Sequence, residues 1–335
     1  MHTLITGGAG FIGSHLTHRL LGRGERVTVL DDFNDFYDPA RKRRNVAPFL
    51  ARAEYALVEG DIRDAALLEQ AAAGADVVFH LAAALGAARI GAAEFMAVNA
   101  GGTRAVLAAA KKNGVRRVVH FSSAGVLGHV RPGETADEKY PLDPRDIYDK
   151  TKLAGERAAL EAAAAGQEVV VIRPGWIYGP GDRRTFKLIR SISQGRFLLP
   201  GRGETLQSPA YVDDLVAGTL LCAGRGRAGE IYHLAGNEAM PVRKMVETIA
   251  AALGKRLPRF HPPMGLTRAA GAVLGALFGL VGKEAPLNPS RLAFFVHPKG
   301  LNIEKARTEL GFEPAVGFAE GMARAVAWYR RAGWL

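Results

Sequence analysis

The sequence has a single cysteine, Cys222, in 335 residues, and it has no long apolar run. One cysteine cannot form an internal disulfide, so nothing in the chain requires an oxidising compartment and we expect a cytoplasmic protein. The longest apolar run, Ala269 to Gly282, is shorter than the roughly 20 residues that span a bilayer, so we expect no transmembrane helix. The N-terminus enters a strand pattern directly, without a charged segment followed by an apolar one, and we expect no secretory signal.

Two common catalytic signatures are also missing. The chain has no Gly-x-x-x-x-Gly-Lys-Ser/Thr, which argues against a P-loop nucleotide hydrolase, and no His-Glu-x-x-His. His15 and His18 share a predicted helix face without a third ligand nearby. We therefore predict no metal site.

Positive charge is in excess, with a formal net charge of +11 at pH 7. Such a balance suits an anionic ligand, nucleic acid or a membrane surface. The tightest basic cluster, Arg-Lys-Arg-Arg at residues 41–44, follows a turn-like stretch at residues 34–39 and has no interleaved aromatic residues. We interpret it as a solvated loop and expect no nucleic-acid partner.

The first half of the chain alternates short β-branched runs with longer helical patterns rich in Ala and Leu. This alternation predicts an α/β Rossmann fold, a doubly wound parallel sheet of at least six strands with helices on both faces. The predicted elements are His2–Ile5, Ile12–Leu21, Val27–Leu30, Tyr55–Val58, Ala65–Ala73, Val77–Leu81, Ala92–Lys112, Val118–Phe121, Tyr148–Ala165 and Glu168–Ile172.

A glycine-rich turn connects the first predicted strand to the first helix, with Gly7, Gly10 and Gly13 in a Gly-x-x-Gly-x-x-Gly spacing. Glycines here let the chain turn tightly and let its backbone approach a pyrophosphate, whose charge the helix N-terminus stabilises. The acidic pair Asp31-Asp32 ends the second predicted strand, where a carboxylate can bind ribose hydroxyls. These features predict a dinucleotide site.

The position of Asp31 favours NAD over NADP. A carboxylate near the ribose accepts hydrogen bonds from a free 2′-hydroxyl but repels a 2′-phosphate, for which NADP sites usually offer Arg. The basic residues 41–44 are the main argument for the opposite preference.

Tyr148 and Lys152 form a Tyr-x-x-x-Lys pattern on a predicted helix, so their side chains share one face. A phenol has a pKa near 10 in water, and an adjacent ammonium favours the phenolate. Ser122 and Ser123 follow the strand Val118–Phe121, which predicts that a hydroxyl lies at the same edge of the sheet. The pattern therefore predicts an acid/base pair next to the dinucleotide.

These motifs in this order resemble the extended short-chain dehydrogenase/reductase superfamily, in particular the NAD-dependent epimerase/dehydratase group that includes 3β-hydroxysteroid dehydrogenases. The likeness covers nearly the whole chain, in the segments Thr6–Gly13, Gly60–Ile62, His80–Ala83, Val98–Asn99, Gly102–Thr103, Ser122–Ser123, Val126–Gly128, Tyr148 with Lys152, Arg173–Pro174, Tyr178–Pro180, Tyr211–Asp214, Lys305–Ala306 and Leu310–Gly311.

The resemblance implies hydride transfer between a secondary alcohol and NAD. It implies that Tyr148 is the acid/base, that Ser123 hydrogen-bonds the reacting oxygen and that Lys152 binds the nicotinamide ribose. Counting back from Val126-Leu127-Gly128 selects Ser123 over Ser122. The predicted catalytic residues are thus Ser123, Tyr148 and Lys152. The predicted cofactor-binding residues are Gly7, Gly10, Phe11, Ile12, Gly13, Asp31, Asp32, Asp61, Ile62, Leu81, Ala82, Ala83, Asn99, Ser122, Tyr148, Lys152, Pro174, Gly175 and Ile177.

After Arg173-Pro174-Gly175 the sequence changes to segments punctuated by Gly and Pro, with helical patterns at Thr185–Gln194, Asp213–Ala223 and Arg243–Leu253. We predict an NAD-binding Rossmann domain over residues 1–174. Residues 175–335 are predicted to be mainly a smaller substrate-binding domain, with some segments returning to the sheet. The resemblance also implies a homodimer through the helices at 92–112 and 148–165.

The favoured substrate is a 3β-hydroxysteroid-like or other lipid alcohol. Relatives that bind nucleotide sugars resemble one another at two arginines that contact the nucleotide, and here Gln207 replaces the first, while Arg291 lacks the surrounding Arg-x-Gly-Asp motif. A neutral amide is a poor replacement for a forked charged donor. Residues 266–281 form a broad apolar helical face, which resembles a segment that covers an apolar substrate or contacts a membrane; packing of the small domain is the alternative interpretation.

A nucleotide-sugar 4-epimerase acting on a UDP-hexose or UDP-uronate is the alternative. Residues 32–39 resemble uronate 4-epimerases, and Arg183, Arg184 and Lys187 suit anionic groups. A 4,6-dehydratase is disfavoured, because those enzymes have an Asp-Glu pair where Ser123 is followed by Ala124-Gly125. An inactive NAD-binding scaffold is the third hypothesis. The sequence leaves open the substrate, the reaction direction, the release of NAD at each turnover and the membrane contact.

Overall fold

The computed structural model describes residues 1–35, 39–85, 90–280 and 289–335. Seven strands form one parallel sheet in the order β10-β6-β5-β4-β1-β2-β3, which confirms the predicted doubly wound α/β fold. The strands of this sheet are β1 His2–Thr6, β2 Arg26–Asp31, β3 Tyr55–Glu59, β4 Val77–His80, β5 Arg117–Phe121, β6 Val169–Pro174 and β10 Ile231–Leu234. Two further pairs of short strands are β7 Trp176–Tyr178 with β9 Pro209–Tyr211, and β8 Leu206–Gln207 with β11 Met240–Pro241.

The register of the sheet brings the carboxyl ends of the central strands together. Thr6 of β1 pairs with His80 of β4, and His80 pairs with His120 of β5. On the other side of β6, Ile172 is aligned with Tyr232 of β10. Parallel sheets bind ligands at this edge.

Thirteen α-helices connect or flank the strands in the described part of the chain. They are α1 Phe11–Leu21, α2 Pro39–Val46, α3 Ala65–Ala72, α4 Ala92–Met96, α5 Gly102–Lys112, α6 Ile147–Ala164, α7 Arg183–Ser193, α8 Val212–Arg225, α9 Val242–Leu253, α10 Met264–Leu280, α11 Pro289–Val296, α12 Glu304–Leu310 and α13 Phe318–Arg331. The helix predicted over 92–112 is interrupted: α4 and α5 are joined by a π-helical turn, Ala97–Gly101.

Two buried apolar clusters cover the two faces of the sheet. On one face Leu16 of α1 and Val216 of α8 pack with Ile5 and Val29 of the strands. On the other face, side chains of α3, α5 and α6 pack against β1, β2 and β4. This arrangement explains why the strands are apolar on both faces.

A third apolar cluster lies away from the sheet, and α7, α9 and α13 build most of it. Its residues all come from the second half of the chain, whereas β10 from that half pairs with β6 in the main sheet. The division at residue 174 stays a prediction. Among the described helices, none has the length and apolar content needed to cross a membrane.

Candidate active site

A cleft of about 1390 Å³ opens at the carboxyl ends of the strands. This volume exceeds the roughly 300–1,000 Å³ of a site for one small ligand, so the cleft has room for a cofactor and a second molecule. All predicted site residues except Asn99 line it. The lining residues predicted from sequence are Gly7, Gly10, Phe11, Ile12, Gly13, Asp31, Asp32, Asp61, Ile62, Leu81, Ala82, Ala83, Ser122, Ser123, Tyr148, Lys152, Pro174, Gly175 and Ile177.

The glycine-rich turn leaves no space for side chains at two of its glycines. Gly7 has a φ of +72°, and a Cβ there would lie 2.7 Å from the amide nitrogen of Ala82. A Cβ on Gly13 would lie 2.5 Å from the carbonyl oxygen of Gly7. The turn leads into the N-terminus of α1, which begins at Phe11 and borders the cleft. This turn exposes backbone without side chains at the N-terminus of a helix, and such a turn fits a dinucleotide pyrophosphate.

Asp31 is a buried carboxylate at the end of β2 that three groups hold in place. It accepts hydrogen bonds from the amides of Ala9, at 3.1 Å, and Phe33, at 2.9 Å. The Lys42 ammonium donates to the same oxygen as the Phe33 amide, at 2.9 Å, and also reaches Asp32, at 3.3 Å. The carboxylate therefore fixes the glycine-rich turn as well as facing the cleft.

The interpretation of residues 41–44 as a solvated loop is wrong. These residues lie on α2, where Lys42 is buried because its ammonium pairs with Asp31. The guanidinium of Arg41 lies 4.3 Å from the ring centre of Trp334, and Arg41, Lys42 and Arg44 all line the cleft. Residues 36–38 of the preceding stretch lie outside the described residues.

Asp61, one of the predicted cofactor-binding residues, is half-exposed in the cleft. Arg63 donates to both of its carboxylate oxygens, to Oδ1 at 3.0 Å and to Oδ2 at 2.6 Å. These hydrogen bonds lower the pKa of Asp61. The carboxylate of Asp61 therefore stays ionised and is paired with the Arg63 guanidinium.

Tyr148 and Lys152 lie in the first turns of α6, whose N-cap, Asp146, accepts a hydrogen bond from the Asp149 amide at 2.8 Å. Both side chains line the cleft. Lys152 is buried, and its ammonium donates to the carbonyl oxygen of Phe121 at the end of β5. Burial lowers the pKa of Lys152 to about 8, opposed by the negative charge of Glu156.

Glu156, one helical turn beyond Lys152, links α6 to two strands of the sheet. It accepts a hydrogen bond from the Ser122 hydroxyl at 2.6 Å and pairs with the guanidinium of Arg173 at 2.6 Å. All three side chains are buried. The network fixes the end of β5, and therefore the position of Ser123, relative to α6. Ser123 accepts a hydrogen bond from the Gly125 amide at 2.9 Å and lines the cleft.

Asn99 lies behind the cleft wall, within the π-helical turn. Its amide group accepts from the amide of Ala84 at 2.6 Å and donates to the Thr151 hydroxyl at 2.9 Å. Single π-turns inside helices are frequent at functional sites. Here the turn lets Asn99 connect a cleft-lining segment to α6.

The cleft wall next to β7 is aromatic, whereas its rim is basic. Trp176 and Phe294 pack with ring centres 5.1 Å apart. The imidazoles of His129 and His297 are stacked, with ring centres 3.8 Å apart, and burial lowers the pKa of His297 to about 4. The cations that line the cleft together with these residues include Arg145, Arg183, Arg184 and Lys299.

Gln207 lines the same wall, and its amide nitrogen is already engaged. It donates to the carbonyl oxygens of Phe294 and His297, both at 2.9 Å. An amide nitrogen has two hydrogens, so no donor of this group remains for a phosphate. The side chain of Arg291 lies outside the described residues.

Sequence reasoning missed several lining residues, including Lys42, Asp149, Phe294, His297 and Lys299. Lys42 belongs to the basic cluster whose burial the sequence did not reveal. Asp149 directly follows Tyr148, but no motif marks it as a site residue. Phe294, His297 and Lys299 are isolated in the sequence, and only the return of distant segments to the cleft identifies them.

A model of the NAD dependent epimerase/dehydratase family matches residues 3–235 of the chain. The chain belongs to that family. Three similar proteins show how widely its members differ. A 4-hydroxy-2-methyl-3-oxo-4-farnesyl-3,4-dihydroquinoline-1-oxide ketoreductase of Stigmatella aurantiaca is 33% identical over 96% of this chain and 95% of its own. A dTDP-glucose 4,6-dehydratase of Streptomyces niveus is 33% identical over 100% and 95%. A 3 beta-hydroxysteroid dehydrogenase/Delta 5→4-isomerase of Mycobacterium tuberculosis is 31% identical over 97% and 90%.

Solved structures agree with this assignment. The dTDP-glucose 4,6-dehydratase of Streptomyces venezuelae, crystallised with NAD, superposes with a TM-score of 0.78 at 31% identity, covering 100% of this chain and 98% of that one. This member of the epimerase/dehydratase family is therefore an NAD-dependent enzyme of the extended short-chain dehydrogenase/reductase type.

Proposed function

We propose that the enzyme oxidises a 3β-hydroxysteroid-like or other lipid alcohol, or reduces the matching ketone, with NAD. The observation that carries this proposal is Gln207, whose amide donors are both used by backbone carbonyls of the cleft wall. A nucleotide diphosphate would find no forked charged donor there. The neighbouring Trp176 and Phe294 offer apolar surface instead.

The residues would divide the reaction as follows. NAD, when held by these residues, would supply the hydride acceptor for the alcohol carbon, and its reduced form would supply the hydride for the reverse direction. The phenol of Tyr148 takes the hydroxyl proton in oxidation, while Ser123 hydrogen-bonds the reacting oxygen. The ammonium of Lys152, held at Phe121, favours the phenolate and binds the nicotinamide ribose. The bare turn at Gly7 and Gly13 holds the pyrophosphate.

A nucleotide-sugar 4-epimerase is the second candidate, and the basic rim of the cleft favours it. Arg183 and Arg184 line the cleft, where they would suit an anionic group. Lys187, which we grouped with them, is not a lining residue of the described cleft. The scaffold hypothesis lacks support, since Ser123, Tyr148 and Lys152 all line the cleft.

We also propose that α10 contacts the surface of an anionic membrane, within the cytoplasm. Leu266, Ala269, Ala270 and Val273 are all exposed, and their i, i+3, i+4, i+7 spacing places them on one helix face. Charge complementarity favours anionic lipid, because residues 248–282 contain four Lys or Arg and no Asp or Glu. Residue 281 lies outside the described part.

We propose a homodimer through the helices α4 to α6. Met96 and Leu142 are 42% and 41% exposed, and both lie at a shallow depression beside α6 that also includes Leu153 and Ala154. Small residues on α6 would let helices of two copies pack closely. Replacing Ala154 with Arg should convert a dimer to a monomer, measured by light scattering at micromolar concentration. A monomeric wild-type protein would contradict the proposal.

A substrate screen tests the proposed reaction. Purified enzyme with NAD is incubated with 3β-hydroxysteroids in one series and with UDP-glucose and UDP-glucuronate in another. We expect NADH to accumulate with the steroids and no epimerisation of the sugars. Conversion of either sugar to its 4-epimer without net NADH, together with no signal from any lipid alcohol, would establish the second candidate instead. Gln207→Arg is the matched variant, and it should gain affinity for UDP.

A further inference from the structure

The carboxylate of Asp149 is a cleft group that the hydride-transfer reaction does not use. Asp149 directly follows Tyr148 on α6, and its side chain is 8% exposed. Its nearest cation is Lys299, with the ammonium 3.8 Å from the carboxylate. Among the residues that the structure describes, none donates a hydrogen bond to this carboxylate. A buried carboxylate usually accepts several.

Asp149 occupies the space that a side chain at position 125 would need. A Cβ on Gly125 would lie 1.7 Å from one Asp149 carboxylate oxygen. The amide of the same glycine donates to the Ser123 hydroxyl at 2.9 Å. The carboxylate therefore lies against the loop that holds Ser123, the residue proposed to bind the reacting oxygen.

We propose that Asp149 is a second catalytic residue, which transfers a proton at the carbon next to the substrate carbonyl. This inference rests on the proposed function, because the carbonyl is the product of alcohol oxidation or the ketone substrate itself. An aspartate base beside a tyrosine hydrogen-bond donor is a known arrangement for such proton transfers. Burial raises the pKa of Asp149, which increases its basicity when ionised.

The step balances without an oxidant or reductant. The carboxylate takes the proton, the electron pair of the C–H bond becomes the C=C bond of an enolate, and the carbonyl electron pair moves to oxygen. The Tyr148 and Ser123 hydroxyls donate hydrogen bonds to that oxygen. Return of the proton to the same carbon gives exchange with solvent, and its return to the far carbon of a β,γ-unsaturated ketone gives a double-bond shift.

Deuterium exchange tests the proposal. The holoenzyme with NAD is incubated in D₂O with the 3-oxosteroid 5α-dihydrotestosterone, and deuterium uptake is followed by mass spectrometry. In parallel, NADH formation from the corresponding 3β-alcohol is measured at 340 nm. We expect uptake at the carbons flanking the carbonyl. In the Asp149→Asn variant, the ratio of exchange to hydride transfer should fall by about 10² or more.

Two variants make the outcome decisive. Glu69→Gln removes a carboxylate that pairs with Lys112, and neither residue lines the cleft, so it should leave both rates unchanged. Gly125→Ser displaces the carboxylate without removing it, so it should lower exchange even where Asp149→Asn fails to fold. An unchanged ratio in both cleft variants, or a wild-type enzyme that forms NADH but exchanges no deuterium, would overturn the role of Asp149. Absence of NADH formation would instead refute the proposed function.

Discussion

Lys42 places a positive charge beside the two carboxylates that end β2. Its ammonium lies between Asp31 and Asp32, so the two carboxylates present less negative charge to the cleft. NAD should still bind more tightly than NADP, because Asp31 keeps its place at the end of β2. The size of the preference for NAD over NADP, however, depends on Lys42, which lies outside the glycine-rich motif.

Replacing Lys42 with Met should widen the preference for NAD. Without the ammonium, the carboxylates repel a 2′-phosphate more strongly, and the ratio of the two dissociation constants should rise by roughly tenfold. Isothermal titration with NAD and with NADP measures the two dissociation constants. Arg43→Met is the control, since Arg43 pairs with Glu59 and stacks on Phe33 outside the cleft. Tighter NADP binding in the wild type would show that Arg41 and Arg44 dominate the ribose site.

Tyr148→Phe should separate turnover from cofactor binding. The phenol acts on the substrate proton, and a positioned acid/base group contributes roughly 10²- to 10⁴-fold to the rate. We expect a loss of that size in kcat, with NAD affinity nearly unchanged in titrations. Lys152→Ala should lower both kcat and NAD affinity, because the Lys152 ammonium is held beside the cleft by the carbonyl oxygen of Phe121. A fully active Tyr148→Phe variant would refute the assignment.

At the scale of elements, α10 differs from the other helices in the face that it presents to solvent. Exposed faces of helices are normally polar, yet the stripe of Leu266, Ala269, Ala270 and Val273 is apolar. Phe260, 65% exposed, precedes it. The helix packs against α11, which contributes Ala293 and Phe294 to the cleft wall. The proposed membrane-contacting helix is thus joined to the cleft wall through α11.

The enzyme should bind vesicles that contain phosphatidylserine, because the apolar stripe and the nearby cations act together. Co-sedimentation with these vesicles and with pure phosphatidylcholine measures the difference. Leu266→Asp with Val273→Asp should abolish binding while NADH formation with a water-soluble alcohol persists. Leu50→Asp, at an exposed apolar residue elsewhere, is the control. Equal binding of the stripe variant and the control would contradict the membrane contact.

Most element boundaries could be predicted to within one or two residues, since apolar periodicity and glycine positions report local structure. The π-helical turn at Ala97–Gly101 could not, because one extra residue in a turn hardly alters an Ala-rich pattern. The burial of Lys42 could not be predicted from the sequence either. A lysine is normally exposed, and only the fold shows that α2 brings it to Asp31. The aromatic wall combines β7 with α11, over 100 residues later.

For the molecule as a whole, buried histidines contribute to the loss of stability in acid. Burial lowers the pKa of His80 and of His233 to about 3, and that of His120 well below its usual value. Each histidine is therefore neutral when folded but takes up a proton when unfolded below about pH 6.5. Protonation of the unfolded chain lowers stability as pH falls from 6.5 towards 3, by about 2 kcal/mol per histidine at pH 5.

His120→Phe should remove one of these contributions. Neither ring nitrogen of His120 has a hydrogen-bond partner among the described residues, so an apolar ring loses nothing there. We expect the free energy of unfolding to rise by about 2 kcal/mol more at pH 5 than at pH 8, measured by urea denaturation. His18→Gln, at an exposed position, should leave the difference unchanged. Parallel pH curves for wild type and His120→Phe would contradict this account.

The pairing of β6 with β10 affects how the chain folds while it is being synthesised. Strand β6 ends at Pro174, but its partner at the sheet edge, Ile231–Leu234, is synthesised some sixty residues later. Until then β6 is an open edge with almost wholly apolar residues, which is prone to pair with other chains. A fragment cut at residue 174 should therefore aggregate, whereas one that extends past Leu234 completes the sheet. A chaperone would therefore be needed during translation, in the interval after β6 has been synthesised and before β10 has been.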